Sequence, residues 1–181
     1  MAINHLVAKK YASAAFNVAK KLNLVDQFAV DLRKFSDAIS KSMIKELSNP
    51  AISRDDLKKI IAELGTKLTL HKETITFLEV VAEERRIANI GAIELSFAKL
   101  VKIEKNILEV EVFSAADLDG QNIQDIKTTL AKKYVGKIIE IKQSIKKDIL
   151  GGLQIKIGST MIDASLKRQL LSLNQQFQSI L

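Results

Sequence analysis

Residues 149–173 constrain the fold most, because signals for a strand, a tight turn and a helix follow one another there without a gap. Apolar and polar residues alternate over 153–157, which predicts a strand with one apolar and one polar face. Gly158-Ser159 is a two-residue reversal of the kind that needs positive φ, so 160–162 should return beside that strand as a hairpin. Asp163 is then the predicted N-cap of an amphipathic helix. The apolar positions of this helix are Leu166, Leu170, Leu173 and Phe177.

The same stretch resembles the C-terminal signature of a known family, the delta subunit of F-type ATP synthases. The mitochondrial counterpart in that family is the oligomycin-sensitivity-conferring protein. The family usually has glycine where this chain has Ala164, a small departure, since alanine suits a first helical turn better than glycine by about 1 kcal/mol. The signature positions in this sequence are Gly151, Gly152, Gly158, Asp163 and Ser165.

Composition sets outer limits on what the chain can be. With 181 residues, 47% of them hydrophobic, it can bury the core of one ordinary domain or two small ones. No stretch approaches the roughly 18 uninterrupted apolar residues of a membrane span, and residues 1–10 lack the order of a signal peptide. The absence of cysteine excludes disulfides, thiol catalysis and thiolate metal sites. We therefore expect a folded protein on the cytoplasmic side of any membrane.

The net charge of +7 raises the possibility of nucleic-acid binding. Residues 1–106 carry 18 basic and 13 acidic side chains, and residues 107–181 carry 10 and 8, so the excess is spread over the whole chain. No aromatic-rich strand accompanies the basic pairs to stack on bases. We expect no nucleic-acid partner, and a basic RNA-associated α/β protein remains an alternative that a steep salt dependence of binding would reveal.

Apolar residues recur at helical spacing over residues 1–106, and the period changes to that of a strand near Asn106. The predicted fold is α+β, with an antiparallel bundle of five to six helices in 1–106 and a small α/β domain in 107–181. The predicted helices cover 5–22, 25–39, a short piece before Asn49-Pro50, a segment capped by Ser53, 72–88 and 90–105. The second domain is predicted to contain a strand at 108–112, a helix at 123–134, a strand at 138–145 and the hairpin.

The first helix is apolar over more than half its circumference, so its own domain or a partner must cover it on two sides. Residues 11–19 resemble the first helix of the delta-subunit family, which there forms part of a groove for the N-terminal helix of the alpha subunit. Core packing alone is the alternative for these residues. The groove expected from the resemblance consists of Tyr11, Ala14, Ala15, Val18, Leu78, Val81 and Ala82.

One further segment departs from the family pattern. The family often has Asn-Gly-Arg-Leu at the end of the 72–88 helix, where this chain has Glu84-Arg85-Arg86-Ile87. Arg86 and Ile87 fit, whereas Glu84 and Arg85 replace the Asn and the Gly. The sequence therefore leaves open whether the helix breaks at this point.

Residues suited to catalysis are few. His5 and His71 are the only histidines, and we expect neither to have a carboxylate partner nearby in the sequence. No lysine follows Gly158 as a phosphate-binding loop would require, so the glycines are better explained by backbone geometry. We expect no active site, metal or cofactor.

The resemblance extends over nearly the whole chain and implies a non-catalytic stator subunit of F-type ATP synthase. Such a subunit links the catalytic head to the peripheral stalk, so that rotor torque drives proton-coupled ATP synthesis. By the same resemblance, residues 1–106 would bind the alpha subunit and residues 107–181 would contact subunit b, on the cytoplasmic face of the cell membrane, with no small-molecule substrate. A helical adaptor unrelated to ATP synthase remains the second alternative.

Overall fold

The computed structural model describes residues 5–146, 149, 151–158, 160–166 and 168. The chain forms two compact units that divide between Lys102 and Ile103. Within the described part, none of the helices is long and apolar enough to cross a membrane. The helices are α1 (His5–Lys21), α2 (Val25–Ala38), α3 (Lys41–Leu47), α4 (Arg54–Lys67), α5 (Lys72–Glu83), α6 (Ile90–Glu104) and α7 (Gly120–Lys133), with a 3-10 turn at Ile87–Asn89 before α6.

The first unit contains α1 to α6 around one apolar core, as the spacing of apolar residues predicts. In α2, Phe28 and Leu32 are fully buried four residues apart, which puts one face of the helix in the core. The ring of Phe97 in α6 contacts Phe16 of α1 edge-on at 5.9 Å and stacks on Phe28 at 6.2 Å between ring centroids. Aromatic contacts therefore join α1, α2 and α6 at the centre of this unit.

The predicted helix over 72–88 is too long, because α5 ends at Glu83. Arg85 has φ +53°, and two backbone bonds close the helix end: Arg85 N–H donates to the Ala82 carbonyl at 2.8 Å and Arg86 N–H to the Val81 carbonyl at 2.9 Å. This pattern is a Schellman motif, in which a left-handed residue normally served by glycine ends the helix. The break is thus present although the chain has arginine in the left-handed position.

The second unit contains a four-stranded mixed sheet. Its strands are β1 (Ile107–Ser114), β2 (Ile138–Ile145), β3 (Gly152–Ile157) and β4 (Thr160–Ser165), in the spatial order β2-β1-β3-β4. β1 and β2 are parallel and are connected through α7, whereas β3 is antiparallel to both β1 and β4. Leu130 of α7 packs with Val110, Val112, Ile139 and Ile157 of the sheet, which confirms the predicted α+β class.

The predicted hairpin is present, but its continuation differs from the prediction. Ile157 pairs with Thr160 across the tight turn, and Gly158 has φ +59° as expected. β4 then extends to Ser165, so Asp163 lies within the strand and is not a helix N-cap. The wrong assignment arose because Asp163 has the usual chemistry of a cap, whereas pairing with Gln154 keeps it in the sheet. The predicted apolar positions Leu170, Leu173 and Phe177 lie outside the described residues.

Candidate functional site

The outer face of α1 exposes apolar side chains in a regular row. Ala14 is exposed, Val18 is 48% exposed, and Leu22, just beyond the helix end, is 46% exposed. These three residues are spaced by four, so they lie on one side of the helix. Tyr11 is half-buried and packs against the core of the first unit. This row is suited to packing against another apolar surface.

The structure divides the seven residues predicted for the groove between surface and core. Tyr11, Ala14 and Val18 have accessible surface, as described above. The other four are at most 2% exposed, and these are Ala15, Leu78, Val81 and Ala82. Sequence reasoning did not include Val80 of α5, which is 47% exposed. The signal in the sequence is that Val80 is apolar and lies on the side of α5 next to the one that carries Leu78, Val81 and Ala82.

Asp31 fixes the start of α5 and was not singled out from the sequence. Its carboxylate is fully buried in α2, where Oδ2 accepts from the His71 backbone N–H at 2.8 Å and from the Thr74 hydroxyl at 3.0 Å. The Gln27 side-chain amide donates to Oδ1 at 2.9 Å. Asp31 therefore caps α5 from a neighbouring helix, satisfying a backbone amide that the end of α5 leaves free. Because His71 is 40 residues away in sequence, no local pattern could have shown this contact.

The signature glycines allow close backbone approach at the end of the hairpin. Gly152 has φ +80°, and a β-carbon at this position would lie 2.4 Å from the carbonyl oxygen of Ala164. A β-carbon on Gly151 would lie 2.8 Å from Cδ1 of Leu166, whose backbone N–H donates to the Gly151 carbonyl at 2.9 Å. Gly152 therefore lets the two strands come together where any other residue would collide with the backbone, whereas a residue at position 151 would require the Leu166 side chain to move.

Two other signature residues, Asp163 and Ser165, lie in β4, where Ser165 pairs with Gly152 at the start of β3. Asp163 Oδ1 accepts from the Ser165 N–H at 2.9 Å, and Oδ2 accepts from the Gln154 side chain at 3.1 Å. Hydrogen bonds from the Ser165 side chain and backbone hold the pKa of Asp163 below its usual value. The Ser165 hydroxyl accepts from the Arg168 N–H at 3.4 Å, three residues further along the chain. The signature is thus a structural junction between β3, β4 and the residues that follow.

The histidine prediction needs one correction. His71 Nδ1 lies 2.5 Å from Glu73 Oε2, so it does have a carboxylate neighbour, two residues along the chain. Both side chains are about 40% exposed at the start of α5, where an acidic residue is favoured by the helix dipole. Over the described ranges, no three His, Cys, Asp or Glu side chains come together as a possible metal site.

Comparisons with known proteins agree over nearly the whole length of the chain. The family model described as "ATP synthase delta (OSCP) subunit" matches residues 7–177. The ATP synthase subunit delta of Caldanaerobacter subterraneus subsp. tengcongensis is 32% identical over 172 residues, which cover 94% of this chain and 96% of the relative. The ATP synthase subunit delta of Fuscovulum blasticum is 29% identical over 180 residues, which cover 98% of this chain and 96% of the relative.

Among solved structures, the chain resembles a chain of the Toxoplasma gondii mitochondrial ATP synthase hexamer with a TM-score of 0.67. The identity there is 19%, with 94% of this chain and 97% of that chain covered, so this likeness concerns the fold. The family predicted from the glycine and Asp-x-Ser signature is confirmed by the match over residues 7–177. The chain belongs to the ATP synthase delta (OSCP) subunit family, whose members are non-catalytic stator components of F-type ATP synthase.

Proposed function

We propose that the first unit binds the N-terminal helix of the alpha subunit of the catalytic head, through the outer face of α1 and exposed apolar surface on α5. The observation that carries this proposal is the exposed row of Ala14, Val18 and Leu22, three apolar side chains at intervals of four residues on one side of α1. Val80 supplies a further exposed apolar side chain on α5. An amphipathic helix laid on such a surface is a common mode of recognition.

The four buried members of the predicted groove have a different role in this proposal. Ala15 and Leu78 lie in the core at 1% and 0% exposure, so they support the surface rather than contact the partner. The alanines of α1 keep the helix close to its neighbours, because small side chains permit close helix packing. The partner would contact the exposed residues above this support.

The physical demand on a stator explains why such a surface is needed. The rotor exerts torque on the head, and synthesis requires that the head does not turn with it. An interface of about 800 Å² per partner reaches nanomolar affinity, about 12 kcal/mol, when its anchors pack well. Slow dissociation then keeps the head attached during rotation.

Adjacent alanines of α1 provide a matched test of this surface. Calorimetric titration of the full chain with a synthetic peptide of the cognate alpha-subunit N-terminal helix should show one-to-one binding. Ala14→Asp should raise the Kd by about 100-fold with little change in melting temperature, because it places an unpaired charge in the contact. Ala15→Asp, at a 1% exposed position, should instead destabilise the fold. Unchanged affinity of Ala14→Asp, or melting that falls in step with affinity, would place the contact elsewhere.

For the second unit, we propose contact with the end of subunit b of the peripheral stalk. Exposed apolar side chains on the outer strands support this, with Met161 of β4 52% exposed and Ile138 of β2 62% exposed. Met161→Asp and Ile138→Asp, compared in a titration with the C-terminal segment of subunit b, would identify which edge is used. If neither variant weakens binding, the contact lies outside these strands. Through these two contacts the protein would be held peripherally at the cytoplasmic face of the cell membrane.

A further inference from the structure

The corner between α5 and the 3-10 turn contains a residue in an unfavourable backbone conformation. Arg85 has φ +53°, in the left-handed region that glycine adopts freely and residues with a β-carbon rarely occupy. The Schellman motif described above requires this conformation to end the helix. An arginine that persists here is expected to make compensating interactions through its side chain.

The guanidinium group of Arg85 makes those interactions with three backbone carbonyls. Nη1 donates to the Asn49 carbonyl at 2.8 Å, and Nη2 donates to the Ile52 carbonyl at 2.8 Å and to the Pro50 carbonyl at 3.3 Å. These acceptors lie in the loop between α3 and α4, 33 to 36 residues earlier in the chain. The planar fork of a guanidinium is well suited to several fixed acceptors, whereas an ammonium is not.

The loop has only weak local support of its own. Its internal bonds run from Ala51 N–H to the Asn49 side-chain oxygen at 3.0 Å and from Ile52 N–H to the Asn49 carbonyl at 3.3 Å. Asn49 and Pro50 also line a cleft of about 1070 Å³, together with Ala88 and Ile90 just beyond the corner. Arg85 thus connects the corner at the end of α5 to a loop that lines this cleft.

We propose that Arg85 is an intrachain latch that holds loop 49–52 against the end of α5 and thereby fixes one wall of this cleft. The latch is separate from the partner contacts proposed above, because its residues include neither the outer face of α1 nor Val80 of α5. Its release would loosen the loop, which Ile52 would still attach to the core of the first unit.

The neighbouring arginine supplies a matched control for the test. Hydrogen exchange of the full chain, followed by NMR, should show the Ala51 and Ile52 amides exchanging about tenfold faster in Arg85→Lys than in the wild type. That factor corresponds to about 1.4 kcal/mol of lost local protection. Arg86→Lys, at an exposed residue with φ −105°, should leave both amides unchanged. Equal exchange in the two variants would overturn the latch.

A second pair of variants separates the side-chain contacts from the backbone conformation. Arg85→Ala and Arg85→Gly both remove the guanidinium, so both should accelerate exchange at Ala51 and Ile52 to the same extent. Arg85→Gly should melt higher than Arg85→Ala by about 4–8 °C, because glycine tolerates the positive φ. Wild-type exchange in Arg85→Gly would mean that the loop is held by its own turn.

One measurement needs no variant. In the wild-type chain, the Arg85 guanidinium should give resolved, slowly exchanging NMR signals, unlike that of exposed Arg86. Averaged signals for both arginines would contradict the proposal.

Discussion

Replacing Asp31 by alanine should strongly destabilise the first unit. The substitution leaves the fully buried Thr74 hydroxyl and the His71 amide without their acceptor. A buried donor left unsatisfied costs about 1–3 kcal/mol, and loss of a helix cap costs about 1 kcal/mol. Taking about 2 kcal/mol for Thr74 and about 1 kcal/mol for His71 gives a loss near 3 kcal/mol, or a melting temperature lower by about 12–24 °C for a unit of this size.

The assay compares this variant with two controls on the same helix. Asp37→Ala removes an exposed carboxylate whose contact with Arg33 is long, at 3.9 Å, and should cost less than about 0.5 kcal/mol. Asp31→Asn keeps an acceptor oxygen and should fall between the two. Urea unfolding gives the free energies, and hydrogen exchange of the His71 amide reports the cap directly. If Asp31→Ala costs no more than Asp37→Ala, or leaves His71 exchange unchanged, the capping argument is refuted.

Three further predictions concern the second unit and the surface of α6. Gly152→Ala should disrupt the β3–β4 pairing and lower the free energy of unfolding by more than about 2 kcal/mol, since its β-carbon would lie 2.4 Å from a backbone oxygen. The control Gly120→Ala, which has open space around it, should leave the free energy measured by urea unfolding unchanged. The pKa of the Asp163 carboxyl, measured by NMR, should be below its usual value and should rise in Ser165→Ala. Because folding lowers this pKa, the ionised carboxylate stabilises the fold above the pKa of the unfolded chain, and that stabilisation is lost as pH falls through the pKa of the folded chain. Burial raises the pKa of Glu94, so the stability of the wild type falls as pH rises through the pKa of this group in the folded state. Glu94→Gln does not ionise, so its stability relative to the wild type should increase between acid and neutral pH. A difference that stays constant with pH would contradict this.

The helices and strands predicted correctly from the sequence are those in which the apolar residues keep a regular spacing along the whole element. The four-residue spacing of Phe28 and Leu32 identified α2, and the predicted bounds 138–145 coincide with β2. Ser53 was also correctly predicted as a cap, since its hydroxyl accepts from the Asp56 N–H at 3.1 Å. In these cases local chemistry and the tertiary fold favour the same conformation.

The errors arose where a distant contact decided the conformation. The sequence could not show that α5 stops before Arg85, because three carbonyls of a remote loop help to stabilise its left-handed backbone. Asp163 has the chemistry of a cap, but pairing of β4 with β3 keeps it in the strand. The exposure of individual side chains is equally hard to predict from the sequence. Helical periodicity places Ala14 and Ala15 side by side without showing which of the two the core covers.

The most direct test of the account is reconstitution on membrane vesicles stripped of this subunit and of the catalytic head. Adding the wild-type chain with the purified head should restore head binding and ATP synthesis driven by a proton gradient. Ala14→Asp should fold normally, yet at a head concentration near the wild-type Kd it should leave most of the head unbound and most of the synthesis unrestored. Full restoration by Ala14→Asp would contradict the claim that the outer face of α1 holds the head.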